Sequence, residues 1–323
     1  MDVNASDVAG SDLQGSPLRF PATDGYALGG FLWCREQLSD QRPTVIITCA
    51  TSVRSRYYAR FAAYLFQNGF NVLTYDYRGI GESRPQSLRG FAADWIDWGE
   101  KDLEGALRYV ETRFPGAPVS VVGHSIGGFA IGAAPSNAAI ERILTVGAQF
   151  AYWRDYAPQA RLAMLWKWHV LMPLVTQLLG YFPAKRLGWM EDTPAGVAMG
   201  WSRMGPRFET SLRRRPLGAD RRPEGMALPP RFAQVRAPIL AIGLSDDAYG
   251  TVPAIRRLLS YFPRTRRLHL HLGPEDFGQA QIGHFAFFHD RFRDSLWPIA
   301  LSWLKQGEVM PKLHHSLEEI PPA

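Results

Sequence analysis

Residues 119–122, Val-Ser-Val-Val, run straight into Gly123, His124, Ser125, Ile126, Gly127 and Gly128. The β-branched run reads as a buried strand, and the small residues that follow, to about 134, read as a helix. Only a very sharp turn fits between them, with glycines where a Cβ would strike neighbouring backbone. Such a turn lifts the central side chain, here the Ser125 hydroxyl, clear of the sheet. The rest of the chain must therefore supply a sheet on which a strand ends and a helix begins within a few residues.

The flanking segments do alternate in that way. A β-branched run at 44–48 follows Pro43, and a helical pattern at 57–67 stops at Asn68-Gly69. A strand at 70–75 then enters a glycine-punctuated loop, 76–83. A helix at 95–113 precedes the strand at 119–122, and another strand covers 143–146. Ahead of these, residues 18–34 alternate apolar and polar around Asp24-Gly25, a hairpin signal. This rhythm predicts parallel βαβ units. Between 148 and 235 it stops: no strand is convincing, five tryptophans (153, 166, 168, 189, 201) accumulate, and seven arginines lie from Arg203 to Arg222. It resumes with a strand at 238–243, a helix at 253–261, a strand at 267–272 and a last helix at about 292–305. The expected organisation is a flexible segment at 1–17, a core at 18–147 and 236–305, a helical insertion at 148–235 and a loose tail at 306–323.

Composition narrows the function classes. With 46% hydrophobic and 20% charged residues, the chain is not disordered. Cys34 and Cys49 are too few for a disulfide framework or a four-cysteine zinc site. The net charge of +6 is concentrated in the arginine run, which no nucleic-acid-binding module accompanies, so no nucleic-acid partner is expected. Residues 162–182 are apolar over about the length of a membrane span but carry Lys167, His169, Pro173 and Gln177. They read as an amphipathic helix broken at the proline, with contact to a membrane surface as the lesser reading. The polar, acidic start of the chain has neither the basic nor the apolar region of a signal peptide, which points to the cytoplasm.

A serine at such a turn is a candidate nucleophile, and it needs a base that is itself oriented by an acid, in the chain order Ser, Asp or Glu, His. Beyond the strand that starts at Ile239 come Gly243, Leu244, Ser245, Asp246 and Asp247. Asp246 is the first choice for the acid, with Asp247 as the second. Among eight histidines, His284 lies in a glycine-bearing loop after the last strand and before the last helix, the right place for the base. His124 reads as packing beneath the turn. His269 and His271 share a strand face, but no third metal ligand is obvious. A developing oxyanion needs two backbone N–H donors. One is Ile126, directly after the serine; the other falls in the loop after 44–48, with Thr51 preferred and Ala50 or Ser52 within register.

These residues resemble the α/β-hydrolase superfamily, and more narrowly a largely uncharacterised bacterial branch of serine hydrolases. The likeness rests on Ala50-Thr51, on Arg56-Tyr57-Tyr58, on the run from Thr74 to Ser83, and on Gly123 to Gly128. Ser245-Asp246-Asp247 and Gly283-His284-Phe285 complete it. It implies an α/β-hydrolase fold: an eight-stranded, mostly parallel sheet with helices on both faces and a helical cap inserted after the sixth strand. It further implies Ser125, Asp246 and His284 as nucleophile, acid and base, and Asp76 and Arg78 as braces of their turn. Cys49-Ala50 stands where many such enzymes have His-Gly. The expected activity is hydrolysis of carboxylic esters of small to medium acyl groups, with a small-molecule acyl substrate and no metal or organic cofactor. A thioesterase, peptidase or acyltransferase with the same triad, or a non-catalytic binding module, is the alternative.

Overall fold

The computed structural model describes residues 15–35, 42–211 and 228–321. Its strands are β1 (Ser16–Pro21), β2 (Ala27–Trp33), β3 (Thr44–Thr48), β4 (Asn71–Tyr75), β5 (Val119–His124) and β6 (Arg142–Val146). They continue with β7 (Tyr181–Phe182), β8 (Thr193–Pro194), β9 (Ile239–Leu244), β10 (Arg267–Leu272) and β11 (Leu317–Ile320). Nine of them form one sheet in the order β1-β2-β4-β3-β5-β6-β9-β10-β11. From β4 to β10 all neighbours are parallel. Every residue of β3, β4 and β9 is buried, as branched apolar strands covered on both faces should be. On one face Phe61 and Tyr64, from helix Ala59–Gln67, set their rings 5.4 and 5.2 Å from Trp297 of helix Trp297–Gln306. Helices Glu104–Arg113 and Gly127–Ala133 cover the other face.

The hairpin at 18–34 is β1 and β2, turning at Asp24-Gly25. Four expectations need correction. The sheet has nine strands rather than eight, because the supposed loose tail folds: Pro311–Ser316 forms a 3₁₀ turn and β11 pairs antiparallel with β10. Four ladder pairs hold this strand, whose Leu-Glu-Glu-Ile sequence carries little strand signal, and Glu318 pairs with Arg256 and Glu319 with Arg266 at its surface. The flexible start at 1–17 ends inside β1, and residues 1–14 lie outside the described ones. The segment at 148–235 is mainly helical but also contains the short β7–β8 ladder. Helix Arg161–Leu179 is not broken at Pro173. Trp166–Leu171 is a π turn directly before Pro173, and that wider turn is where the helix absorbs the ring and the missing N–H. Of the arginine run, Arg213, Arg214, Arg215, Arg221 and Arg222 lie outside the described residues.

The loop after β4 is braced as expected. Asp76 accepts hydrogen bonds from the N–H groups of Ser55 (2.6 Å) and Glu82 (2.7 Å). Arg78 donates through Nε to the fully buried Asp102 (2.6 Å) and through both terminal nitrogens to Asp24 (2.7 and 2.9 Å). One guanidinium thus ties the β1–β2 turn, the β4 loop and the segment Trp98–Leu103 together. Removing it strands a buried carboxylate. Arg78→Met should lower the stability measured by urea unfolding by about 3–5 kcal/mol, and adding Asp102→Leu should recover part of that loss.

Candidate active site

Ser125 is one of three non-glycine residues with positive φ (54°) among the described residues, the strained conformation that the turn demands. Its N–H donates to Val146 O (3.0 Å), which fixes the turn to β6. The glycines on either side answer to space. A Cβ at Gly123 would meet Gly127 C and Gly128 N at 2.9 Å, and one at Gly127 would stand 2.5 Å from Thr48 Oγ1. Strand, serine and helix therefore pack closer than any side chain allows.

The two aspartates have different partners, and the one beside His284 is Asp247 rather than the expected Asp246. His284 Nδ1 is 2.7 Å from Asp247 Oδ2, and both side chains are buried. Asp246 instead accepts the N–H groups of Ile282 (2.8 Å) and Gly283 (2.9 Å), holding the backbone that leads into His284. The reason is register. β9 runs to Leu244, one residue beyond the strand expected at 238–243, and the aspartate that turns inward past its carboxyl end is Asp247. Burial alone would raise the Asp247 carboxyl. The charge and hydrogen bond of His284, with the N–H groups of Gly250 (2.9 Å) and Tyr249 (2.7 Å), outweigh that and hold it below its ordinary value. Gly147, directly after β6 and at φ 55°, makes room for the pair: a Cβ there would lie 2.7 Å from Asp247 Oδ2 and 3.0 Å from His284 Nδ1.

Ser125 joins this pair through its neighbours rather than through a hydrogen bond to the imidazole. His124 is fully buried, its Nε2 donates to His284 O (2.8 Å), and its Nδ1 accepts from Tyr58 Oη (2.7 Å). Tyr58 Oη in turn accepts the N–H of Ala50 (2.9 Å). Because a carbonyl only accepts, the direction of every proton in this series follows, and His124 is the neutral Nε2–H tautomer. Burial pushes its pKa down to about 3. His124 does pack beneath the turn, but it also ties the loop after β3 to the backbone of His284. That link was not legible in the sequence, since Tyr58 and His124 are 66 residues apart.

Thr51 and Ile126 stand beyond Thr48 of β3 and Gly123 of β5, residues opposite one another in adjacent parallel strands. Both are buried at the same sheet edge. Of the alternatives to Thr51, Ala50 has its N–H taken by Tyr58. Ser52 O accepts the N–H of Glu191 (3.0 Å), and Ser52 Oγ lies 2.7 Å from Thr193 Oγ1, which pins the loop to the inserted segment. Tyr249 was also missed; its ring centre lies 4.9 Å from that of His284, and its hydroxyl accepts Trp168 Nε1–H (3.2 Å).

All of these groups project from the carboxyl ends of β3, β5, β6, β9 and β10, around the point where the strand order reverses. The family model for serine aminopeptidase, S33, matches residues 39–195, just under half of the chain. An esterase from Pyrococcus furiosus is similar over 95% of this chain and 96% of its own, with a TM-score of 0.55 and 14% identity. The chain has the α/β-hydrolase fold. A soluble variant of monoglyceride lipase from Saccharomyces cerevisiae, solved with a substrate analog, is similar over 92% of this chain and 97% of its own, at TM-score 0.60 and 14% identity. At such identities the likeness is one of fold. No curated protein matches the sequence.

Two outcomes test this geometry without reference to activity. Asp247→Asn should abolish the downfield proton resonance of an imidazole N–H held by a carboxylate, and Asp246→Asn should leave it in place. His124 has a folded pKa below its ordinary 6.5, so its contribution to stability is complete above that value and is lost as pH falls toward about 3. Its ring resonances should remain those of a neutral imidazole at about pH 5, where an ordinary histidine is protonated.

Proposed function

We propose that this protein is a serine hydrolase acting by acyl transfer through Ser125. The observation that carries this reading is the buried His284–Asp247 pair at the sheet edge that also bears the strained Ser125. In the proposed reaction Ser125 Oγ attacks an acyl carbon while its proton passes to His284 Nε2, the nitrogen not held by Asp247. Asp247 fixes the ring and offsets the imidazolium charge. The carbonyl oxygen becomes an oxyanion facing the N–H groups of Thr51 and Ile126, each worth about 10²–10³ in rate. His284 then gives its proton to the departing oxygen, leaving an acyl-serine. Water, deprotonated by the same nitrogen, releases the acid and restores Ser125.

Carboxylic esters are the favoured substrates, with the acyl group placed against the aromatic side of the site. Tyr249 lies beside His284, and behind it Trp168 and Trp201 stack at 4.7 Å. The names of the esterase and the lipase of similar fold agree with this choice. The name of the matching family favours a second reading, release of an amino-terminal residue from a peptide by the same residues.

A fluorophosphonate should label Ser125, located by mass spectrometry, and Ser125→Ala should abolish labelling. With model esters, Asp247→Asn should lower kcat by roughly 10³–10⁴, whereas Asp246→Asn, which loosens only the loop, should cost far less. Turnover of aminoacyl anilides but not of esters would move the assignment to the peptidase reading. A folded protein with no adduct would overturn both.

A further inference from the structure

Helix Arg161–Leu179 is apolar on both sides. Its inner side, Met164, Trp168, Met172 and Thr176, is buried, and Trp168 packs on Trp201. Its outer side is not polar, as that of a surface helix usually is. Leu178 is 83% exposed, Leu162 77%, Trp166 63% and Leu174 54%. Trp189 joins the helix through its contacts with Trp168 and Lys167, Leu187 lies two residues before it, and these six are all but one of the large apolar residues exposed among the described residues. A patch of this kind marks an interaction surface rather than ordinary scatter.

Its charge says what it meets. From Tyr156 to Met190 there is no Asp or Glu, while Arg161, Lys167, Lys185 and Arg186 all fall in that stretch. None of these four is in an ion pair with another described residue. Lys167 instead sits over the rings of Trp168 (4.4 Å) and Trp189 (3.6 Å). Leucine and tryptophan within a purely basic stretch is the composition of a helix that lies in the interface of an anionic bilayer. The helix is long and apolar enough to cross a membrane, but its inner side is committed to the fold, so it fits the surface and not the interior.

We infer that the outer face of Arg161–Leu179, with Lys185 and Arg186 beside it, docks this protein on an anionic lipid surface. The inference does not depend on the reading of Ser125. The test is sedimentation with vesicles of phosphatidylcholine alone or mixed with phosphatidylglycerol. The full chain should bind the mixed vesicles, more weakly as salt rises, and the neutral ones less. Trp166→Glu combined with Leu178→Glu should weaken binding by about tenfold or more with the thermal midpoint unchanged, since both side chains point away from the fold. Lys185→Glu combined with Arg186→Glu should remove the preference for anionic lipid. Equal binding by the variants, or none by the parent chain, would overturn the proposal. So would a concentration-dependent dimer that Leu178→Glu dissolves, because the face would then belong to a second copy.

Discussion

Gly127 approaches Thr48 so closely that no side chain fits between them. Much of the site depends on that contact. It presses the start of the helix after Ser125 against the end of β3, so the serine turn and the loop of Thr51 share one edge of the sheet. The strain at Ser125 persists because β3 and β6 grip the turn from both sides, through packing at Thr48 and the hydrogen bond to Val146 O. A looser junction would let the serine relax out of the left-handed region, and its hydroxyl would no longer stand clear of the backbone.

The strands were legible where burial on two faces leaves a run of branched residues, as at 44–48 and 70–75, and so was the serine turn, whose glycines are dictated by local contacts. That His284 stands at this sheet edge was legible from its position between the last parallel strand and the last helix. The aspartate that pairs with His284 lies one residue beyond the one expected, because a strand end read from apolar content gives no sign that Leu244 remains in the ladder. β11 was missed for a different reason. Its charged partners are Arg266, just before β10, and Arg256 on helix Val252–Leu259, and such ion pairs leave no periodicity to read. The bonds from Ala50 through Tyr58 and His124 to His284 exist only once the fold has brought distant segments together.

Those bonds make two loops behave as one body. The backbone after β3 and the backbone of His284 are joined through two buried side chains whose proton directions admit no alternative. Asp246 holds the same histidine loop from its other side, and Ser52 fastens the β3 loop to Glu191 and Thr193. Rigidity at the site is thus assembled from polar contacts made by residues on at least four separate segments, none of which needs to touch a substrate.

β11 decides what stands at one edge of the sheet. Without it, β10 would be an unpaired edge of a largely parallel sheet, presenting open N–H and C=O groups as a template for another chain. Arg267, buried at the start of β10, gives a hydrogen bond to Pro321 O just beyond β11 and would lose that partner. Outward-facing glutamates on β11 cap the growing direction of the sheet with charge. Cutting the chain after Gly307 would therefore act on self-association and recovery of soluble material, while every group around Ser125 kept its local contacts.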